Sequence, residues 1–201
     1  MKKIFLGVVA TLVLSGCISS KTYVDPSFAK ASYDDIKPVV SKYNTNVMVE
    51  FQRNGDPLPA ADNELRGHVE RTLRASGVVI PSGDSSFTLK VTVNNLADLG
   101  DAAAKGFGTG LTFGAAGSMV TDYYEINIEY TNSNGEILNK SYKHALHTTV
   151  GNKEAPFEDV VPTTPAAAFG TIVEQVLLNF IVEMQQNNLL TKSDSNHWQF
   201  I

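Results

Sequence analysis

The feature that most constrains the fold is a long apolar stripe near the carboxyl end of the chain. Eight large apolar residues recur there at helical spacing: Phe169, Ile172, Val173, Val176, Leu177, Phe180, Ile181 and Met184. Polar side chains occupy the other face: Glu174, Gln175, Asn179 and Glu183. Thr164-Pro165 supplies a cap and a first-turn proline for this helix. A helix that is apolar on one face buries that face, so the pattern predicts packing on a sheet rather than a membrane span.

Four other segments alternate apolar and polar residues, as half-buried strands do, and they cover residues 46–52, 87–96, 123–131 and 136–150. A second helical pattern runs between the first two of them, with Asp62 as its N-cap and Gly77 as its stop. Asn134-Gly135 predicts a hairpin between the last two strands. The order strand, helix, strand, strand, strand, helix predicts an α+β fold: an antiparallel-rich sheet of about four strands with two helices packed on one face.

Composition excludes several classes of function. The formal charge is −5 and no basic block is present, which argues against a nucleic-acid partner. The sequence contains no CxxC, HExxH or GxSxG motif. His144 and His147 are three residues apart on a predicted strand, so they point to opposite faces, one half-buried and one exposed, and do not share a metal. We therefore expect no catalytic residues, no metal site and no cofactor.

The amino-terminal residues carry a specific motif. A short basic start, Met1-Lys2-Lys3, precedes eleven apolar residues, too few for the roughly 20 that a membrane span needs. Leu14-Ser15-Gly16-Cys17 follows directly. This stretch resembles the lipobox of bacterial lipoproteins, which implies lipid on the Cys17 thiol after removal of a signal peptide. Cys17 is the only cysteine, so an internal disulfide is excluded.

The resemblance also implies a location. In this family an Asp directly after the lipidated Cys retains the protein in the inner membrane, whereas Ile18 occupies that place here. The resemblance therefore implies the outer membrane, on its periplasmic face. We expect a signal peptide at 1–16, the lipidated Cys and a tether at 17–44, a periplasmic α+β domain at 45–191 with a Gly-rich insertion at 100–121, and a tail at 192–201. The topology resembles the small periplasmic α/β domains of some outer-membrane assembly lipoproteins and of the amino-terminal part of TolB.

Residues 106–120, GFGTGLTFGAAGSMV, contain no charge. They match neither the phosphate-loop pattern nor GxGxxG. Glycines spaced by four would allow two helices to approach closely, whereas alternation of large residues with glycine would suit a strand. The stretch is a connection that packs on its own sheet, a segment for contact with a membrane, a partner or a second copy, or a ligand loop. The candidate contact residues are Gly106, Phe107, Gly110, Leu111, Phe113 and Gly114.

These observations predict a lipid-anchored, non-catalytic protein with an accessory or scaffolding role in an envelope complex. Its partners would be the membrane, through Cys17, and an envelope protein or a second copy of the chain. One alternative is a periplasmic hydrolase acting on peptidoglycan or lipid, which a nucleophile, a base and a carboxylate gathered in one cleft would favour. Another is a carrier for a small apolar ligand, which an enclosed apolar cavity under the long helix would favour.

Overall fold

The computed structural model describes residues 20–97 and 117–190. Within them, seven strands and two α-helices follow one another in the chain: β1 (Ser20–Val24), β2 (Tyr43–Arg53), β3 (Asp56–Pro57), α1 (Asp62–Ala75), β4 (Val79–Pro81), β5 (Thr88–Ala97), β6 (Ser118–Thr131), β7 (Ile137–Val150) and α2 (Pro165–Gln186). Three short 3-10 helices occupy the connections: Pro26–Phe28, Tyr33–Asp35 and Pro59–Ala61. The strands form one sheet in the order β1-β7-β6-β5-β2-β3, and β4 pairs with β2.

The predicted sheet of about four antiparallel-rich strands with two helices is wrong. The sheet has seven strands and is mixed, because β2 runs parallel to both β5 and β4. The three additional strands are short: β3 has two residues, β4 three and β1 five. Segments of that length show too few alternations to stand out from loops. The parallel pair follows from α1, which carries the chain from the end of β2 back to the start of β5.

The first strand also changes the expected domain boundary. Ser20–Val24, which lies within the predicted tether, pairs with β7 over five residues. The bonds between Thr22 and Thr163 secure its other edge, with N···O distances of 3.2 and 2.8 Å in the two directions. The ordered sheet therefore begins at Ser20. The predicted tail at 192–201 and most of the insertion at 100–121 lie outside the described residues.

Several local predictions are confirmed. The Thr164 hydroxyl caps α2 by accepting a bond from the Ala167 N–H at 3.3 Å. Gly135 has φ +81° in the turn between β6 and β7, as a tight hairpin requires. Asp62 does not cap α1, since Ala61 holds the N-cap position. The Asp62 carboxylate instead accepts a bond from the Phe51 N–H at 2.7 Å, which joins the helix to β2.

Helix α2 is buried on two sides. Its apolar stripe packs on the sheet and α1, and the first turns of α2 lie so close to α1 that a side chain at Gly170 would overlap the His68 ring. Segment 25–37 crosses its opposite side. The Gln185 side chain bonds both the N–H and the C=O of Lys37, at 2.8 and 2.7 Å, and Tyr33 donates to Glu174 at 3.0 Å. By length and composition alone α2 could cross a membrane, yet half of that stretch is buried inside the fold.

His144 joins the sheet to the same helix. The backbone N–H of Ala145 donates to His144 Nδ1 at 2.9 Å, so the neutral ring carries its proton on Nε2. That nitrogen lies 2.7 Å from Gln175 Oε1 on α2. Burial lowers the pKa of His144, and the hydrogen bonds to Gln175 and Ala145 offset only part of this effect. The folded protein therefore holds His144 neutral.

This burial predicts a specific pH dependence. The pKa of His144 is lower in the folded than in the unfolded chain. The stabilisation that follows from this difference is therefore fully present above the pKa of the unfolded chain, about 6.5. As pH falls below that value the unfolded chain takes up the proton first, and the free energy of unfolding decreases. The free energy of unfolding, measured with urea between about pH 7.5 and 5, should therefore decline with falling pH. In His144→Gln this decline should be less steep, by up to about 1 kcal/mol per pH unit. An equally steep decline in the variant would contradict the assignment.

Candidate functional site

The sequence-predicted site residues lie outside the described parts of the chain. This holds for Cys17 and for the contact segment: Gly106, Phe107, Gly110, Leu111, Phe113 and Gly114. The assignment of the contact segment stays a prediction. The residues that flank them are described, and they show from which part of the fold each segment leaves.

Both segments leave from one end of the sheet. Ser20, three residues after Cys17, is in register with Val150 of β7, and Val150 is in register with Ser118 of β6. Ser118 in turn follows the glycine-rich stretch, of which residues 106–116 precede the described chain. We call this end, formed by Ser20, Val150 and Ser118, the anchor end. The opposite end, with the turn Asn132–Glu136, is the hairpin end.

Gly117 fixes the geometry at the anchor end. Its φ is +67°, a conformation that glycine adopts without strain. A Cβ at this position would also overlap the backbone at Asn152 and Lys153. The chain therefore enters β6 packed closely against the turn that follows β7.

Three hydrogen-bonded polar side chains, Asp25, His147 and Thr121, lie on the sheet face away from the helices, near the anchor end. His147 Nε2 is 3.3 Å from Asp25 Oδ2, and His147 Nδ1 is 3.0 Å from Thr121 Oγ1. Since an ionised carboxylate only accepts, Nε2 carries the proton, and Nδ1 of the neutral ring accepts from the Thr121 hydroxyl. The Phe157 ring stands edge-on to His147 with centroids 5.2 Å apart, so the loop after β7 covers this cluster.

The Asp25 carboxylate is held in its charged form. Burial alone would raise the pKa of Asp25. Hydrogen bonds from the Ser27 N–H and hydroxyl, at 2.9 and 2.6 Å, and from His147 together lower this pKa by more than burial raises it. The net pKa lies below the ordinary value. The arrangement can therefore fix the imidazole and polarise the Thr121 hydroxyl. It also pins the end of β1 to β7.

The two histidines lie on opposite faces of β7, as predicted, with His144 toward α2 and His147 away from it. The expectation of one half-buried and one exposed ring is wrong, because His144 is fully buried and the His147 side chain is only 14% exposed. Sequence analysis missed Asp25 and Thr121. The register of the β6–β7 hairpin pairs Thr121 with His147. The predicted Asn134-Gly135 turn therefore gave a way to find Thr121 from the sequence.

In the part of the chain that the structure describes, one small apolar cavity lies under α2. Near the hairpin end a cavity of about 20 Å³ is bounded by side chains of α1, α2 and the sheet, among them Leu73, Leu89, Phe180, Ile181 and Met184. This volume holds about one water molecule, whereas ligand pockets usually measure roughly 300–1,000 Å³. This cavity gives the carrier alternative no support. Within the described residues, no group of three or more His, Cys, Asp or Glu side chains is placed to hold a metal ion.

Several solved structures resemble this chain distantly. The PelC dodecamer from Paraburkholderia phytofirmans is 14% identical with a TM-score of 0.37, covering 80% of this chain and 94% of that one. A minor lipoprotein from Acinetobacter baumannii is 13% identical with a TM-score of 0.37, covering 75% and 97%. A DUF330 protein from Xanthomonas campestris is 13% identical with a TM-score of 0.33, covering 75% and 89%. Similarity at this level carries no functional argument.

Comparison of sequences is specific for the amino terminus. No curated protein matches the chain. Residues 1–17 match the model of the prokaryotic membrane lipoprotein lipid attachment site, which ends at Cys17. The predicted lipobox is confirmed by this match, and the chain is a bacterial lipoprotein anchored to a membrane through Cys17.

Proposed function

We propose that this lipoprotein resides in the outer membrane, faces the periplasm and has a non-catalytic accessory or scaffolding role in an envelope complex. The observation that carries the proposal is the direct junction between anchor and fold: two residues, Ile18 and Ser19, lie between the attachment site at Cys17 and β1. Ile18, in place of an Asp, supports the outer membrane as its location. The proposal requires no cofactor.

The glycine-rich segment supports a role in protein contact. It begins after β5 and ends at Gly117, and it spans far more residues than the two to five that usually join adjacent antiparallel strands. Residues 106–116 carry no charge, which is unsuited to a solvated linker. Because this segment ends where the anchor begins, a partner bound there would lie close to the membrane. We propose an envelope protein or a second copy of the chain as this partner.

The contacts of His144 and His147 support a non-catalytic role. His144 is committed to Gln175 and Ala145 inside the fold. His147 and Asp25 bond each other across β1 and β7, beneath the loop that contains Phe157. The His144–Gln175 and His147–Asp25 contacts each join two parts of the fold that are distant in the chain.

Crosslinking in intact envelopes tests this role. The wild type should enter a crosslinked species of higher mass, and Gly110→Leu should reduce that species several-fold while leaving the thermal midpoint nearly unchanged. Cys17→Ser should abolish acyl labelling and also lose the species. Gly67→Leu is the matched control, because Gly67 lies on α1 with open space around its Cα. A Gly110→Leu variant that crosslinks like the wild type would contradict the contact role of the segment.

The chain Asp25–His147–Thr121 favours one second candidate, a hydrolase with Thr121 as its nucleophile. Thr121→Val removes the hydroxyl and keeps the β-branched shape, and Thr131→Val on the same strand and face is its control. We expect wild type and both variants to release no product from peptidoglycan or phospholipid. Product release by the wild type and Thr131→Val, but not by Thr121→Val, would replace the accessory role with this one.

A further inference from the structure

The connection between the lipid attachment site and the sheet is very short. Cys17 precedes Ser20 by three residues, and a chain spans at most roughly 3.3–3.6 Å per residue, so their Cα atoms lie within about 11 Å of each other. The lipid on Cys17 lies in the bilayer. The start of β1 therefore stays near the lipid headgroups whatever path the two intervening residues take.

The sheet extends this closeness to neighbouring elements. Ser20, Val150 and Ser118 are consecutive Cα partners across β1, β7 and β6. Neighbouring strands are about 4.8 Å apart, so Ser118 lies about 10 Å from Ser20. Helix α2 starts at the same end, because Thr163 pairs with Thr22 and the helix begins two residues later at Pro165.

Strand β1 is held on both sides, so it cannot act as an extension of the tether. One edge pairs with β7 from Ser20 to Val24, and the other carries the two bonds between Thr22 and Thr163. The Thr22 and Thr148 hydroxyls lie 3.0 Å apart, and Asp25 bonds His147 just beyond the strand. Detaching β1 would break all of these contacts together.

Two lysines are exposed at the anchor end. Lys21 of β1 and Lys153 in the turn after β7 are exposed at the anchor end, with Glu154 as the carboxylate beside them. At the hairpin end, the exposed side chains include Lys42 together with Asp84 and Glu136. Lysines beside a bilayer are attracted to its phosphate headgroups, whereas carboxylates are repelled by anionic lipid.

We propose that the anchor end of the sheet rests on the lipid surface that holds Cys17, with Lys21 and the turn at 151–153 against the headgroups. The hairpin end is directed away from the membrane. Strands β6 and β7 have 14 residues each, which at about 3.3 Å per residue separates the two ends by about 43 Å. This orientation requires lipid on Cys17 and goes beyond the accessory role, since it holds for any protein partner.

Energy transfer from single dyes to acceptor lipids tests the orientation. The lipidated protein is reconstituted into vesicles of phosphatidylethanolamine and phosphatidylglycerol that contain a headgroup-labelled acceptor. The dye is attached at Asn152→Cys, in the turn at the anchor end, or at Ser133→Cys, in the hairpin turn; both native side chains are exposed. Transfer from position 152 should be several-fold more efficient than from position 133.

A lengthened variant is the matched control. A Gly-Ser linker of about twelve residues inserted between Ser19 and Ser20 adds a root-mean-square reach of about 20 Å, and it should bring the two efficiencies closer together. Equal transfer from both positions in protein that floats with the vesicles would overturn the orientation and leave the lipid anchor intact. Protein that fails to float would overturn the anchor, and the orientation with it.

Discussion

The architecture depends on the placement of two consecutive strands at distant positions in one sheet. β1 lies at one edge, beside β7, whereas β2 lies on the far side of β5. The connecting segment must therefore cross the layer that contains α2. It does so with Phe28 against His144 and with Lys37 bonded to Gln185. This crossing encloses α2 between the sheet and the segment. Both sides of α2 are therefore buried by elements of the same chain.

The same placement ties the lipid anchor to the core. Because β1 is bonded on both edges, the lipid attachment site continues directly into the sheet rather than through a flexible tether. The glycine-rich segment ends at Gly117, at that end, where the backbone of Asn152 and Lys153 leaves no room for a side chain. Ser20, which follows the membrane anchor, and Gly117, which ends the glycine-rich segment, therefore lie at the same end of the sheet, although about 100 residues of sequence separate them.

Long periodic elements could be predicted from sequence, and short or cross-chain features could not. The stripe on α2 and the alternation in β6 and β7 each extend over enough residues to define a period. β1, with the sequence SKTYV, does not, since its burial comes from partners more than 120 residues away. The hydrogen-bonded group Asp25, His147 and Thr121 could not be predicted for the same reason, because its members come from three distant parts of the sequence. The residues with the clearest predicted roles, Cys17 and the glycines from Gly106 to Gly114, lie outside the described parts of the chain.

β1 belongs to the sheet and so holds the lipid anchor close to the fold. Amide hydrogen exchange of Thr22 and Thr163 in the mature protein measures this directly, because each N–H bonds the carbonyl of the other. The structure predicts slow exchange at both positions, with protection similar to that of the central β6–β7 pair. Exchange as fast as in an unstructured peptide, while β6 and β7 remain protected, would show that residues 20–24 are a tether.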